Sequence, residues 1–486
     1  MRAWARVALG GLATFLAAAG PETARAAVKP GLEGGQELFR RNHWAEAREH
    51  LRSQWGQLAE KDRPAATFLI GRSYAREAEF YGAVRRVGAE VGLAYMQELG
   101  AARANRNVAW VPLFTGLHQL AAGMDKEAER TLLAAAGART LLPAEWKATA
   151  RLRRATALHR LGRTAEAAAA LKEPNSEGRL CRLLLTGVAE PPPVSPKARR
   201  ERLLIAPVLF RAARAAEAEA VLSGLDLEAP DVEDKSDPKK VLRFHDPLLA
   251  TAWERTCWER AVVALRPLAV GGTGAEKRLA AYYAGLGLFH LGVPEESTKL
   301  LKLANDASLG AELQPAARLL IAAASWKDQG SVAELGPLWE ATQSQPDSVL
   351  LWEELRRTDL AKSEPFATRL ETRLRELLPP SAERPSGALV GRWGLARLRR
   401  GDDAAGLLAV LSEHQDKSNK NKLEWNDPLL LLALSAANYR EQEYAQALET
   451  LFELSKTLPG LRALQWNMQG VYAARQKAGG EARISQ

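Results

Sequence analysis

One spacing constrains this chain more than any other feature. A small residue on a predicted helix is followed three positions later by an apolar one, and a short polar break comes next. A second small residue stands 12 positions after the first, with an apolar residue four beyond it. The clearest copies run from Gly71 and Tyr74 across Glu79-Phe80-Tyr81 to Ala83 and Val87, and from Gly116 across Gly123-Met124-Asp125 to Ala128 and Leu132. Others run from Ala155 and Leu158 across Leu161-Gly162-Arg163 to Ala167 and Leu171, and from Gly285 and Leu288 across Leu291 to Pro294 to Ser297 and Leu301. A fifth joins Ser435 to Ala447 and Leu451 across Glu441 to Tyr444. Gly35 with Ala47 and Leu51 makes a further copy, and Gly394 with Gly406 and Val410 a weaker one. Two antiparallel helices approach closely only where both carry a small side chain at the crossing. A single hairpin cannot bury its apolar face alone, so hairpins of this kind stack.

Helical periodicity runs through nearly the whole chain, while alternating strand patterns are almost absent. The expected fold class is therefore all-α. The segment Ile70-Gly71-x-x-Tyr74 followed by Ala83, with Trp466 and Gly470 near the end, resembles the tetratricopeptide repeat family. The resemblance implies a right-handed superhelical α-solenoid of stacked antiparallel helix hairpins. It also implies that first helices line a concave face that binds a protein or peptide. The departures are plain. The family's unit is about 34 residues, whereas the second-helix small residues here are spaced by 36, 45 and 39 (Ala47, Ala83, Ala128, Ala167). Residues 172–260 and 302–390 are helical in pattern and poor in motif.

Residues 1–26 read as an export signal. Arg2 and Arg6 precede an apolar run from Val7 to Gly20, and Ala24-Arg25-Ala26 is a small-x-small cleavage site. The run is too short to span a bilayer comfortably, and no other apolar run reaches ~18 residues. Cleavage after Ala26 predicts a periplasmic or secreted chain without a transmembrane segment. It also takes the formal charge from +9 to +7.

Breaks divide the remainder into N-terminal repeats over 27–188, central helices over 189–378 and C-terminal repeats with a cap helix over 379–486. Pro191-Pro192-Pro193 forms an extended spacer. Residues 226–246 read as a long loop, as do 379–387 and 413–426. Asp246-Pro247 and Asp427-Pro428 are helix starts, with Asp as N-cap and Pro in the first turn.

Catalytic chemistry finds no purchase. His43 and His50 lack a His-Glu-x-x-His arrangement, and the other five His are isolated. There is no Gly-x-Ser-x-Gly, and Gly271-Gly272-Thr273-Gly274 lacks the Gly-Lys-Ser/Thr ending of a phosphate loop. Cys181 and Cys257 carry no catalytic signature and read as buried thiols, with a bridge between them as the alternative. No metal, cofactor or enzymatic activity is expected.

Arginine offers more. Arg72 and Arg76 flank Tyr74, and Arg151 and Arg154 share a predicted helix with Arg153 and Arg160. These four, Arg72, Arg76, Arg151 and Arg154, are the candidate partner-binding residues, since guanidinium forks match carboxylate or phosphate. Further basic groups follow the Pro-rich spacer (Lys197 to Arg202) and occupy Arg392 to Arg400. Export argues against nucleic acid as the target of this charge, and anionic envelope polymers remain a candidate. Most of the 13 Trp read as inter-helix core. The expectation is an exported, non-enzymatic scaffold for protein–protein interaction in the bacterial cell envelope. The alternative is a glycan- or peptidoglycan-associated module, resembling the superhelical domain of lytic transglycosylases without its catalytic domain.

Overall fold

A computed structural model describes residues 29–101, 110–137, 142–171, 176–186, 198–225 and 247–305, scattered positions between 309 and 324, and residues 387–399, 402–415, 426–457, 471, 474 and 475. The N-terminal segment 1–26, the Pro-rich spacer, the loop 226–246 and most of the expected cap helix lie outside the described residues. Among the described residues the regular elements are all helical, and no strand occurs.

Most of the expected hairpins form. They are α1 (Gly31–Arg40) with α2 (Trp44–Ser53), α4 (Val111–Ala122) with α5 (Asp125–Ala135), and α6 (Ala144–Arg160) with α7 (Thr164–Ala170). After α8 (Ser176–Thr186) come α9 (Arg199–Arg211) and α10 (Ala215–Leu222), a hairpin that was not anticipated. Then follow α12 (Gly274–Leu291) with α13 (Pro294–Ala304), α14 (Gly387–Arg399) with α15 (Ala404–Glu413), and α16 (Pro428–Arg440) with α17 (Tyr444–Thr457). The small residues sit where close approach demands them. A Cβ added at Gly116 would stand 2.6 Å from Leu132 Cγ, and one at Gly285 would stand 2.7 Å from Leu301 Cγ. Ser297 Oγ donates to Gly285 O at 2.8 Å, and Ser435 Oγ donates to Ala447 O at 3.1 Å, so each small pair is in direct contact.

The turns share one construction. The residue seven after the first small one is left-handed in six hairpins: Asn42, Gly123, Gly162, Ala213, Gly292 and Gln442. The next N–H reaches back five residues, as Met124 N–H does to Gln119 O at 2.8 Å and Arg214 N–H does to Leu209 O at 2.9 Å. This satisfies orphan carbonyls at the helix end.

The turn expected at Glu79-Phe80-Tyr81 does not exist. One helix, α3 (Arg63–Ala101), runs straight through it for 39 residues, about 58 Å. Ala78 occupies the position where the left-handed residue would fall, and no Gly, Asn or Pro lies between Ala75 and Tyr81. Gly71 is still a close-approach glycine, but its partner is remote. An added Cβ would lie 2.5 Å from Leu265 Cγ on α11 (Pro247–Gly271). Gly82 meets Glu254 on the same helix, with Oε1 2.7 Å from an added Cβ. Residues 11 apart on an α-helix return to nearly the same face. Gly71 and Gly82 therefore form one strip for α11, while Gly92 has turned toward His118 on α4.

This long helix organises the rest. α3 packs against α2, α4, α11 and α12 and touches α16, and α11 also packs against α9 and α12. One apolar cluster runs from Trp44 through Trp253 and Trp258 to Trp393 and Leu454. A second gathers α4, α5 and α6 around Leu117 and Leu132. Helix α11 opens at Pro247 and α16 at Pro428, as the Asp-Pro steps predict, and Asp427 Oδ1 accepts Leu429 N–H at 2.9 Å. Gly272 and Thr273 lie in the turn between α11 and α12. Cys181 and Cys257 are both buried as free thiols, and burial pushes the Cys257 thiol up.

A cationic cleft as the candidate functional site

A cleft of about 610 Å³ opens where the first hairpin, α3, α12 and the C-terminal helices meet. Arg72 and Arg76 both line it, one helical turn apart on α3. Tyr74 does not. Two residues on a helix diverge by about 200°, and Tyr74 is buried against Arg48, whose guanidinium sits 4.1 Å from the ring centre. Arg52 donates to the Tyr74 hydroxyl at 2.9 Å, and Arg260 covers the ring at 5.0 Å.

The two cleft arginines differ in state. Arg76 donates to Glu79 Oε2 at 2.9 Å and to Asp427 Oδ2 at 2.5 Å, and lies 5.6 Å from the Trp44 ring centre. Glu79 also pairs with Arg392 from α14. Burial holds the Arg392 guanidinium down at about 9, reinforced by the neighbouring Arg76 and opposed by Asp427. These four side chains form a closed quartet of two cations and two anions. Asp427 holds it to the start of α16 through its cap. Beside it, Asn42 Nδ2 donates to Asn426 O at 3.2 Å, which ties the first hairpin to the residue before the Asp427 cap.

Arg72 stands outside the quartet. Its guanidinium lies 5.2 Å from the Phe39 ring centre and 5.5 Å from that of Tyr283. Its Nε is buried with no acceptor, and among the described residues no carboxylate pairs with it. Leu69, Leu286 and Leu313 supply an apolar stretch of the same cleft, while Gln36, Asn42 and Arg40, which pairs with Glu37 at 3.2 Å, add polar groups to its lining. The arrangement can hold an anionic group at Arg72 and an apolar group beside it.

No family model, curated protein or solved structure matches this chain.

The other two candidates lie elsewhere. Arg154 is engaged with Glu129, donating from Nε to Oε1 at 2.8 Å. Arg151 is exposed on α6 and does not line the cleft. Between them Arg153 is fully buried and meets Glu177 at 3.2 Å, which Arg200 also reaches at 3.0 Å. Most of that basic run is therefore internal wiring. The group at Arg392 divides likewise, with Arg392 in the cleft and Arg397 bound to Asp402. Phe39, Tyr283, Glu79 and Asp427 were not foreseen as site residues. Asp427 was legible as a helix cap, but its second role depends on α3, 351 residues away. His50 Nε2 lies 3.0 Å from Gly31 O, and among the described residues no group of three His, Cys, Asp or Glu is placed to hold a metal ion. No described helix is long and apolar enough to cross a membrane.

Proposed function

We propose that the chain is an exported helical scaffold of the bacterial cell envelope that binds a protein or peptide partner in the Arg72 cleft. The single observation behind this reading is the guanidinium of Arg72, which has two aromatic rings but no carboxylate beside it among the described residues, in a cleft whose other charges are paired. Arg72 is half-buried, and a partly desolvated charge without a counter-charge is costly, so an anionic partner group relieves that cost. Hairpins built to one spacing support a tetratricopeptide-like solenoid around the cleft, with α3 and α11 as a non-sequential pair within it. The glycan alternative draws no support from the cleft, because Phe39 and Tyr283 present ring faces to Arg72 rather than to an open sugar platform.

The test uses the mature chain, 27–486, as bait for envelope extract, beside an Arg72→Met variant. Met keeps the apolar stem between the two rings and removes the charge. Arg76 is left intact, since its loss would break the quartet. Specific partners captured by the wild type and lost by Arg72→Met support the reading. Equal capture by both, or no specific capture by either, overturns it. N-terminal sequencing of the chain recovered from the periplasm is expected to begin at Ala27; a chain retaining Met1 refutes cleavage at Ala26.

A further inference from the structure

The cleft's charge balance goes further than its location. Arg76, Arg392, Glu79 and Asp427 neutralise one another, and Arg40 on the same lining pairs with Glu37 at 3.2 Å, so Arg72 is the lining cation without a carboxylate among the described residues. Phe39 and Tyr283 occupy its surroundings at ring-centre distances of 5.2 and 5.5 Å, and its Nε lacks an acceptor. A planar guanidinium fork satisfies one carboxylate in two parallel hydrogen bonds. A phosphate monoester carries about −1.5 to −2 at neutral pH. Its second charge would enter a cleft that also holds Glu79 and Asp427, with Arg40, Arg76 and Arg392 already bound to carboxylates, and like charges repel. The apolar wall of Leu69, Leu286 and Leu313 asks for an apolar group next to the anion. A volume of about 610 Å³, open to solvent, admits a few side chains of a passing segment and no folded domain.

We infer that the cleft takes an extended peptide segment presenting one acidic side chain beside an apolar one, and rejects the same segment when the acid is replaced by a phosphorylated residue. This rests on the reading of the cleft as the partner site. The carboxylate lies against Arg72, and the neighbouring apolar side chain packs on the leucine wall.

The experiment measures binding of three peptide pools to the mature chain. Each pool is capped at both ends and has Leu, Phe, Val and Ala mixed at the flanking positions. The central residue is Glu, Gln or phosphoserine. A hydrogen-bonded charge contributes about 1.5–3 kcal/mol, so the Glu pool is expected to bind at least about tenfold tighter than the Gln pool. The phosphoserine pool should bind no better than Gln. Arg72→Met should erase the Glu–Gln difference, and Arg72→Lys should keep part of it. Equal binding of Glu and Gln to the wild type, tighter binding of phosphoserine than of Glu, or no binding by any pool overturns the inference. If Arg72→Met loses envelope partners while Glu and Gln pools behave alike, only this ligand class fails. If partner capture is unaffected by Arg72→Met, the reading beneath it fails.

Discussion

The straight course of α3 is testable through Gly71. If the chain turned at Glu79 to Tyr81, Gly71 would pack near Val87, as Gly116 packs on Leu132. In the structure its neighbour is Leu265, which is fully buried. Replacing Gly71 by Ala has two opposed effects. Ala is favoured over Gly within a helix by about 1 kcal/mol. The new Cβ would lie 2.5 Å from Leu265 Cγ and 3.2 Å from Ala264 Cβ, and forcing them aside costs about 1–3 kcal/mol. The expected net loss is ~0–2 kcal/mol. Leu265→Ala alone should cost about 2–5 kcal/mol. In the double variant the overpacking has no partner, so the two changes should couple by ~1–3 kcal/mol. Val87 stands 16 residues along the same helix, about 24 Å from Gly71, and a cycle with Val87→Ala should be additive within about 0.5 kcal/mol. Hydrogen exchange in 63–101 and 247–271 reads the local opening free energy directly. Coupling with Val87 and none with Leu265 would refute the straight helix and its pairing with α11.

Three further expectations come from single sites. Glu79→Gln should cost about 3–5 kcal/mol, because it strips a buried partner from Arg392 and Arg76 together; thermal unfolding that matches wild type would dismiss the quartet. Glu259 is held up at about 7 by burial, opposed by Arg255 and Arg211. Its raised value means the fold keeps a proton that the unfolded chain gives up, so this site's contribution falls as pH rises from about 4.5 to 7 and is then flat. Glu259→Gln should accordingly gain on wild type by on the order of 3 kcal/mol across that window, read from urea midpoints at a series of pH values; a constant difference defeats the assignment. Comparison within this pair matters because buried His118, held down at about 3 by burial, makes the whole chain less stable toward acid. Finally, Ala213 sits at φ 58°, a conformation that costs an L-residue about 1 kcal/mol or more. Ala213→Gly should stabilise by about 0.5–1 kcal/mol, while Ala212→Gly, at φ −77°, should destabilise; equal melting shifts for the two would exclude a left-handed turn there.

Local structure was the most legible part of the sequence. Hairpins whose two small residues are 12 apart could be read directly because both partners lie within one window. The same spacing misled at Gly71, since the sequence records that a glycine needs close company but not which helix supplies it. The absent turn signal at Ala78 was the available clue. The converse failure is α9 and α10. Ala206, Leu209, Ala218 and Leu222 obey the spacing and are buried, but Pro207 lies inside the helix and the turn residue is an alanine. Arg72 and Arg76 were recognisable from basic and aromatic residues on one helix. What separates them was not, because the acids and rings that decide their states come from Phe39, Tyr283 and Asp427.

The long helix also sets the order in which the chain can finish folding. Its glycine strip needs α11, and Arg76 needs an aspartate 351 residues later. At about 5–20 residues per second, a ribosome takes roughly 20–70 s to supply it. Until then α3 has uncovered faces and Arg76 lacks the second of its two carboxylates. Non-local contacts of this kind are slow to form because loop closure precedes their reward. This topology therefore delays completion of the fold until the segment that carries Asp427 is available.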